Sequence, residues 1–148
     1  MDFAGLLPQV FIVERGENGR WPLRLAGELI GAVHGWSLRG SDLIGLWAPR
    51  HRAPLQRALT AALTVPDFLV ITADAAAAEG DVRRLEILFA PISGPSGAPD
   101  RLLGLYQPLT SSLGFGARRL GDLNMRAIGG GEQRPYLRLA AADGRHIA

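Results

Sequence analysis

A strand-like run ends on Arg24-Leu25-Ala26-Gly27, and nine residues beyond that glycine the chain reads Trp36-Ser37-Leu38-Arg39-Gly40-Ser41-Asp42-Leu43. This order of parts constrains the fold more than any other feature. Strands usually continue into a meander or alternate with longer helices. Here Glu28–His34 predicts a brief helix with Leu29, Ile30 and Val33 on one side and Gly35 as its stop. Ser41 or Asp42 then caps another short turn of helix carrying Leu43, Ile44, Leu46 and Trp47, which Pro49 ends. Short helices inserted after a first hairpin are expected to lie across one sheet face and wall off a small interior. Such an interior suits sensing or holding something better than it suits chemistry.

The remaining pattern supplies the sheet. Val10–Glu14 reads as a first strand, and Gly16-Glu17-Asn18-Gly19 offers residues that tolerate positive φ for a hairpin turn. In a second strand over 21–26, Trp21, Leu23 and Leu25 alternate with Arg24 and Ala26, which assigns Leu25 to the buried face. The longest helix is expected over 54–64, where Leu55, Leu59 and Leu63 recur on one side. Strands follow over 68–73, 82–90 and 102–109. Leu85, Ile87 and Phe89 face inward there against Arg84 and Glu86, and Leu103 and Leu105 oppose Tyr106. After Thr110 the pattern weakens, with loop-like glycines over 114–121 and 129–131 and a short added strand over 136–139. The division is therefore a folded domain over 1–110 and a partly irregular extension over 111–148.

Composition limits the chemistry. A chain of 148 residues, 47% hydrophobic, is sized for one packed domain. It has no cysteine, which excludes disulfides, thiolate metal sites, thiol nucleophiles and thiol-adduct photochemistry, and it agrees with a cytoplasmic location. No apolar run reaches the about 18 residues of a membrane span. The apolar opening over 3–13 is broken by Pro8 and has no basic lead, so it reads as a strand and its approach. All 16 basic residues are arginine and the net charge is only +2. The pairs Arg83-Arg84 and Arg118-Arg119 lie far apart with acids interspersed, so no nucleic-acid face is expected.

The order strand, strand, short helices, longer helix, three strands resembles the PAS fold, an α+β arrangement in which a five-stranded antiparallel sheet carries its helices across one face. The likeness is closest to a branch of short, stand-alone bacterial PAS proteins once catalogued as a family of unknown function. It rests on Leu7-Pro8-Gln9-Val10-Phe11-Ile12-Val13-Glu14, Arg24-Leu25-Ala26-Gly27, Gly35 with Leu38-Arg39-Gly40-Ser41-Asp42-Leu43, Leu88-Phe89-Ala90-Pro91-Ile92 and Leu103-Gly104-Leu105, over about residues 6 to 110. Members carry a tryptophan-bearing helical segment before the first strand, and here the chain starts almost at that strand, so any role of such a segment in dimer contact is not carried over. The resemblance implies a regulatory or sensory domain working through protein contacts, and the leading expectation is a sensor or adaptor that forms a homodimer. It names no cofactor, because PAS domains bind many or none.

Candidate site residues follow from that frame. Leu25, Ile30, Val33, Trp36, Trp47, Leu59, Ile71, Ile87, Phe89 and Leu103 are expected around the interior, either lining a ligand cavity or simply filling the core. Arg84, Glu86 and Tyr106 are expected on the open sheet face as a partner contact. The competing reading is a carrier of a small molecule, haem or flavin, with His34 or His51 as an axial haem ligand, against the plainer role of helix-end and surface histidines. Catalysis has little support. No serine stands in a G-x-S-x-G elbow, Asp42 is better placed as a helix cap, and in 114–121 the third glycine comes two residues late for a dinucleotide loop.

Overall fold

The computed structural model describes residues 3–76, 80–109 and 120–130. A 3-10 helix, Phe3–Gln9, leads into β1 (Val10–Glu14) and β2 (Leu23–Ala26). Then come α1 (Glu28–His34), a 3-10 helix (Leu43–Leu46) and α2 (Pro49–Thr64). Four strands close the order: β3 (Leu69–Ala76), β4 (Val82–Ser93), β5 (Pro99–Pro108) and β6 (Leu123–Gly130). All pair antiparallel in one sheet of order β2-β1-β5-β4-β3-β6.

The sheet thus has six described strands where the sequence suggested five. The sixth, β6, runs along the β3 edge inside the stretch read as partly irregular, and Leu123 is buried where its carbonyl accepts from Ala48 N at 2.9 Å. The short strand expected over 136–139 lies outside the described residues. A second difference is the start of α2. Pro49 opens this helix at its first turn instead of ending the previous one, because an N-terminal proline surrenders no intrahelical N–H bond.

The hairpin and caps form as their residues dictate. Asn18 (φ 56°) and Gly19 (φ 75°) take the left-handed conformations of a tight hairpin turn, closed by Arg20 N donating to Glu17 O at 3.0 Å. Asp42 Oδ1 accepts from Ile44 N at 3.1 Å, capping the second 3-10 helix, and also from Trp21 N at 2.9 Å. One carboxylate therefore ties a helix start to the end of the hairpin. Asp42→Ala is expected to cost about 1–2 kcal/mol, the loss of a cap plus a backbone donor left without its partner, read as a lowered midpoint in urea unfolding.

Both helices lie against the same sheet face. Leu55, Leu59, Ala62 and Leu63 of α2 and Ile30, Val33 and His34 of α1 turn toward it. The core between them includes Trp21, Trp47, Tyr106, Phe11 and Phe89.

Candidate functional site

The sheet has two faces of different character, and cross-strand register decides which residue falls on which. On the inner face Phe11 stands opposite Gly104, and Gly104 opposite Phe89. A Cβ on Gly104 would run into the Phe11 ring. Its absence lets the Phe11 and Phe89 rings meet edge-to-face, centroids 5.5 Å apart. Tyr106, two residues along β5, takes the same face, packs edge-to-face on Phe11 at 5.7 Å, and is 1% exposed.

This corrects two of the expectations. Tyr106 is a core residue, not part of an outer contact, and Leu103 is the outward-facing one, 38% exposed. Leu25 is also outward, 45% exposed. The register runs Ile12 to Leu25 and then Val13 to Leu23, so Arg24 is an extra residue in β2 and side-chain alternation inverts there. Trp36 leaves the core as well, 49% exposed. Gly35 in the left-handed conformation ends α1 and carries the next residue out onto the surface, beside Gly31 and Ser37. Leu25, Trp36 and Leu103 therefore do not line the interior.

The other interior candidates, Ile30, Val33, Trp47, Leu59, Ile71, Ile87 and Phe89, are brought together in one continuous core. Two residues missed as interior groups join them. His34 sits four residues after Ile30 on the inward face of α1, and its Nε2 lies 3.0 Å from the Tyr106 hydroxyl. Burial pushes the His34 pKa down to about 4 and the Tyr106 pKa upward, so both stay neutral near pH 7. The i, i+4 spacing from Ile30 was the available signal for His34. Trp47 is fully buried, and its indole N–H meets no acceptor among the described residues.

These side chains do not fit a haem or flavin. A flat ring system between helices and sheet would need the volume that Trp47, Phe11, Phe89 and Tyr106 fill. The donors are placed wrongly for haem too: His34 is joined to Tyr106, and His51 lies near the start of α2, where Arg50 Nε donates to its Nε2 at 3.0 Å. Desolvation and the Arg50 charge both lower the His51 pKa. Among the described residues no three His, Cys, Asp or Glu side chains are grouped to hold a metal ion, and no helix is long and apolar enough to cross a membrane.

The outer face carries the remaining candidates. Arg84 donates to both oxygens of Asp74, at 2.7 and 3.1 Å, and Arg126 stands 3.4 Å from the same carboxylate. The Arg84 hydrogen bond, helped by both positive charges, holds the Asp74 carboxyl below its ordinary range. Glu86 is half-buried in register with Thr72 and Gln107. Away from these charges, Leu25, Ile12 and Leu103 stand in register across three neighbouring strands.

A family model described as PAS domain matches residues 1–107. No curated protein matches the sequence. Among solved structures, the Rhodobacter sphaeroides LOV protein is 20% identical at a TM-score of 0.55, with 70% of this chain and 60% of that one covered. This chain therefore spans less than two thirds of that protein's length. The PAS domain of a Colwellia psychrerythraea protein is 16% identical at a TM-score of 0.52, covering 72% and 93%. The Vibrio cholerae VqmA dimer is 14% identical at 0.54, covering 73% and 49%. These likenesses are of fold.

Proposed function

The chain belongs to the PAS domain family, and from that premise we propose that it is a cytoplasmic sensor or adaptor module that works through protein–protein contacts, pairing with a second copy through its outer sheet face. The observation that carries this reading is the asymmetry of the sheet. The inner face is filled by its own aromatic and aliphatic side chains. The outer face leaves the row Leu25, Ile12 and Leu103 open to solvent, with Leu25 and Leu103 each more than a third exposed.

Single exposed apolar residues are ordinary, whereas an apolar row across adjacent strands is a surface suited to association. The polar rim is set apart from it. The Arg84–Asp74–Arg126 cluster neutralises much of its own charge, which lowers the cost of bringing a partner close. Vibrio cholerae VqmA, similar in fold, was itself solved as a dimer. We read no enzymatic role, since the buried polar groups His34, Tyr106 and Trp47 are closed off from substrate.

The test is Leu103→Arg, read by sedimentation. Its side chain is exposed, so the fold should persist. An unpaired charge at an apolar contact costs more than about 1.4 kcal/mol, so self-association should weaken by at least about tenfold. A wild-type chain that stays monomeric at about 100 μM, where weak dimers are populated, would end the homodimer reading. So would a variant that associates as the wild type does.

A further inference from the structure

The tight turn between β1 and β2 leans against α2, and a groove of about 670 Å³ opens between them. That volume falls within the roughly 300–1,000 Å³ of small-molecule sites. Arg57, Thr60, Ala61 and Thr64 form the helical wall. Their spacing i, i+3, i+4 and i+7 places them on one stripe, turned away from the side on which Leu55 and Leu59 enter the core. Arg15, Gly16, Asn18 and Gly19 form the facing wall, and Gln56 Nε2 donates to Gly19 O at 2.7 Å, pinning the two walls together. Buried Trp21, with Ala61 and Val65, supplies the apolar lining.

Arg24, Arg83, Arg84, Arg101 and Arg126 each lie within 4 Å of a carboxylate. Among the described residues Arg15, Arg20, Arg39 and Arg57 make no side-chain hydrogen bond or ion pair, and of these four Arg15 and Arg57 line this groove together. The nearby acids are Glu17, in the turn itself, and Asp100, whose backbone carbonyl accepts from Arg15 N at 3.5 Å. Neither carboxylate pairs with Arg15 or Arg57. Unpaired guanidiniums beside hydroxyls and a carboxamide, over an aromatic floor, make a site for an anionic head on an apolar body.

We propose that this groove binds a small amphipathic anion, with Arg15 and Arg57 taking a carboxylate or phosphate head group and Trp21, Ala61 and Val65 holding the apolar part. The site is outside the filled core and on a different surface from the outer sheet face, so it gives the domain an input independent of the association surface.

The experiment is titration of the full chain, followed by NMR, with hexanoate, hexyl phosphate and the uncharged 1-hexanol as probes. The expected result is saturable shifts centred on the Trp21 indole, Gln56 and Thr60, with hexanol much the weakest. Arg15→Ala and Arg57→Ala should each weaken binding about tenfold, as loss of a charge-assisted hydrogen bond requires. The tighter of the two anions identifies the head group. The proposal is overturned if neither anion saturates, if hexanol binds as well, if the shifts map elsewhere, or if both variants bind like the wild type. Both side chains lie on the surface groove, and unchanged melting of the variants separates lost contact from lost fold.

Discussion

Gly104→Val should lower the stability of the folded chain by about 2–4 kcal/mol, although valine is the better strand former by up to about 1 kcal/mol. The sign follows from where the new side chain goes. Gly104 lies between Phe11 on β1 and Phe89 on β4, and the two rings meet edge-to-face across the gap it leaves. A Cβ there enters the Phe11 ring, and both neighbouring strands fix the backbone against retreat. The Phe11 ring must then turn away, losing its contacts with Phe89 and with Tyr106, the residue that holds His34. Urea unfolding reads this as a midpoint lower by about 1–2 M with an unchanged slope. Phe11→Leu in the same chain gives space back to the valine, so the double variant should be more stable than the sum of the single losses by about 1 kcal/mol or more. An unchanged or raised midpoint in Gly104→Val alone would show that the aromatic cluster is not seated on this glycine.

The same residue explains part of what the sequence could and could not reveal. In Leu102-Leu103-Gly104-Leu105-Tyr106 the inward set is Leu102, Gly104 and Tyr106. A glycine leaves no hydrophobic mark on an alternation pattern, so the opposite parity, with two leucines, looked stronger. Leu25 was misplaced for a different reason: the bulge at Arg24 inverts alternation within a four-residue strand, and only pairing with β1 exposes it. The elements set by local chemistry were legible. Gly35 ends α1 in the left-handed conformation, Asp42 caps the helix after it, and Asn18-Gly19 turns the hairpin, because each of these depends on a residue's own backbone and side chain. β6 was not legible, since its place is set by an edge of β3 about fifty residues earlier and by Ala48. The groove at Arg15 and Arg57 was invisible for the same reason. Its two cations come from the β1–β2 hairpin and from α2, and only the leaning of that turn on the helix joins them.

Acid should weaken the fold in a window that belongs to His34. Above pH 6.5 this ring is neutral folded or unfolded, and its burial carries no proton-linked penalty. As pH falls below 6.5 the unfolded chain takes up a proton that the folded core refuses until about pH 4, because burial disfavours the imidazolium. Stability is therefore lost progressively between pH 6.5 and 4, by about 3 kcal/mol in total, and this group adds no further loss below that. Asp74 acts in a separate range. Its folded pKa is lowered by Arg84, so its contribution is present above the ordinary value of 3.8 and lost only as pH falls beyond it. His34→Gln, which cannot take a proton, should flatten the pH 6.5 to 4 segment of a stability-against-pH curve and leave the lower segment alone. Tyr106→Phe should behave differently. It strands one ring nitrogen and costs about 1–2 kcal/mol at every pH, yet keeps the slope, since burial and not the hydroxyl causes the shift. His51, the other described histidine, lies beside Arg50, with its pKa lowered by desolvation and by the Arg50 charge, and His51→Gln supplies the control. Should His34→Gln run parallel to the wild type from pH 6.5 to 4, or the His34 ring titrate near 6.5 by NMR, water reaches between α1 and the sheet. The filled core that argues for association at the outer face, in place of a ligand held inside, would then be open.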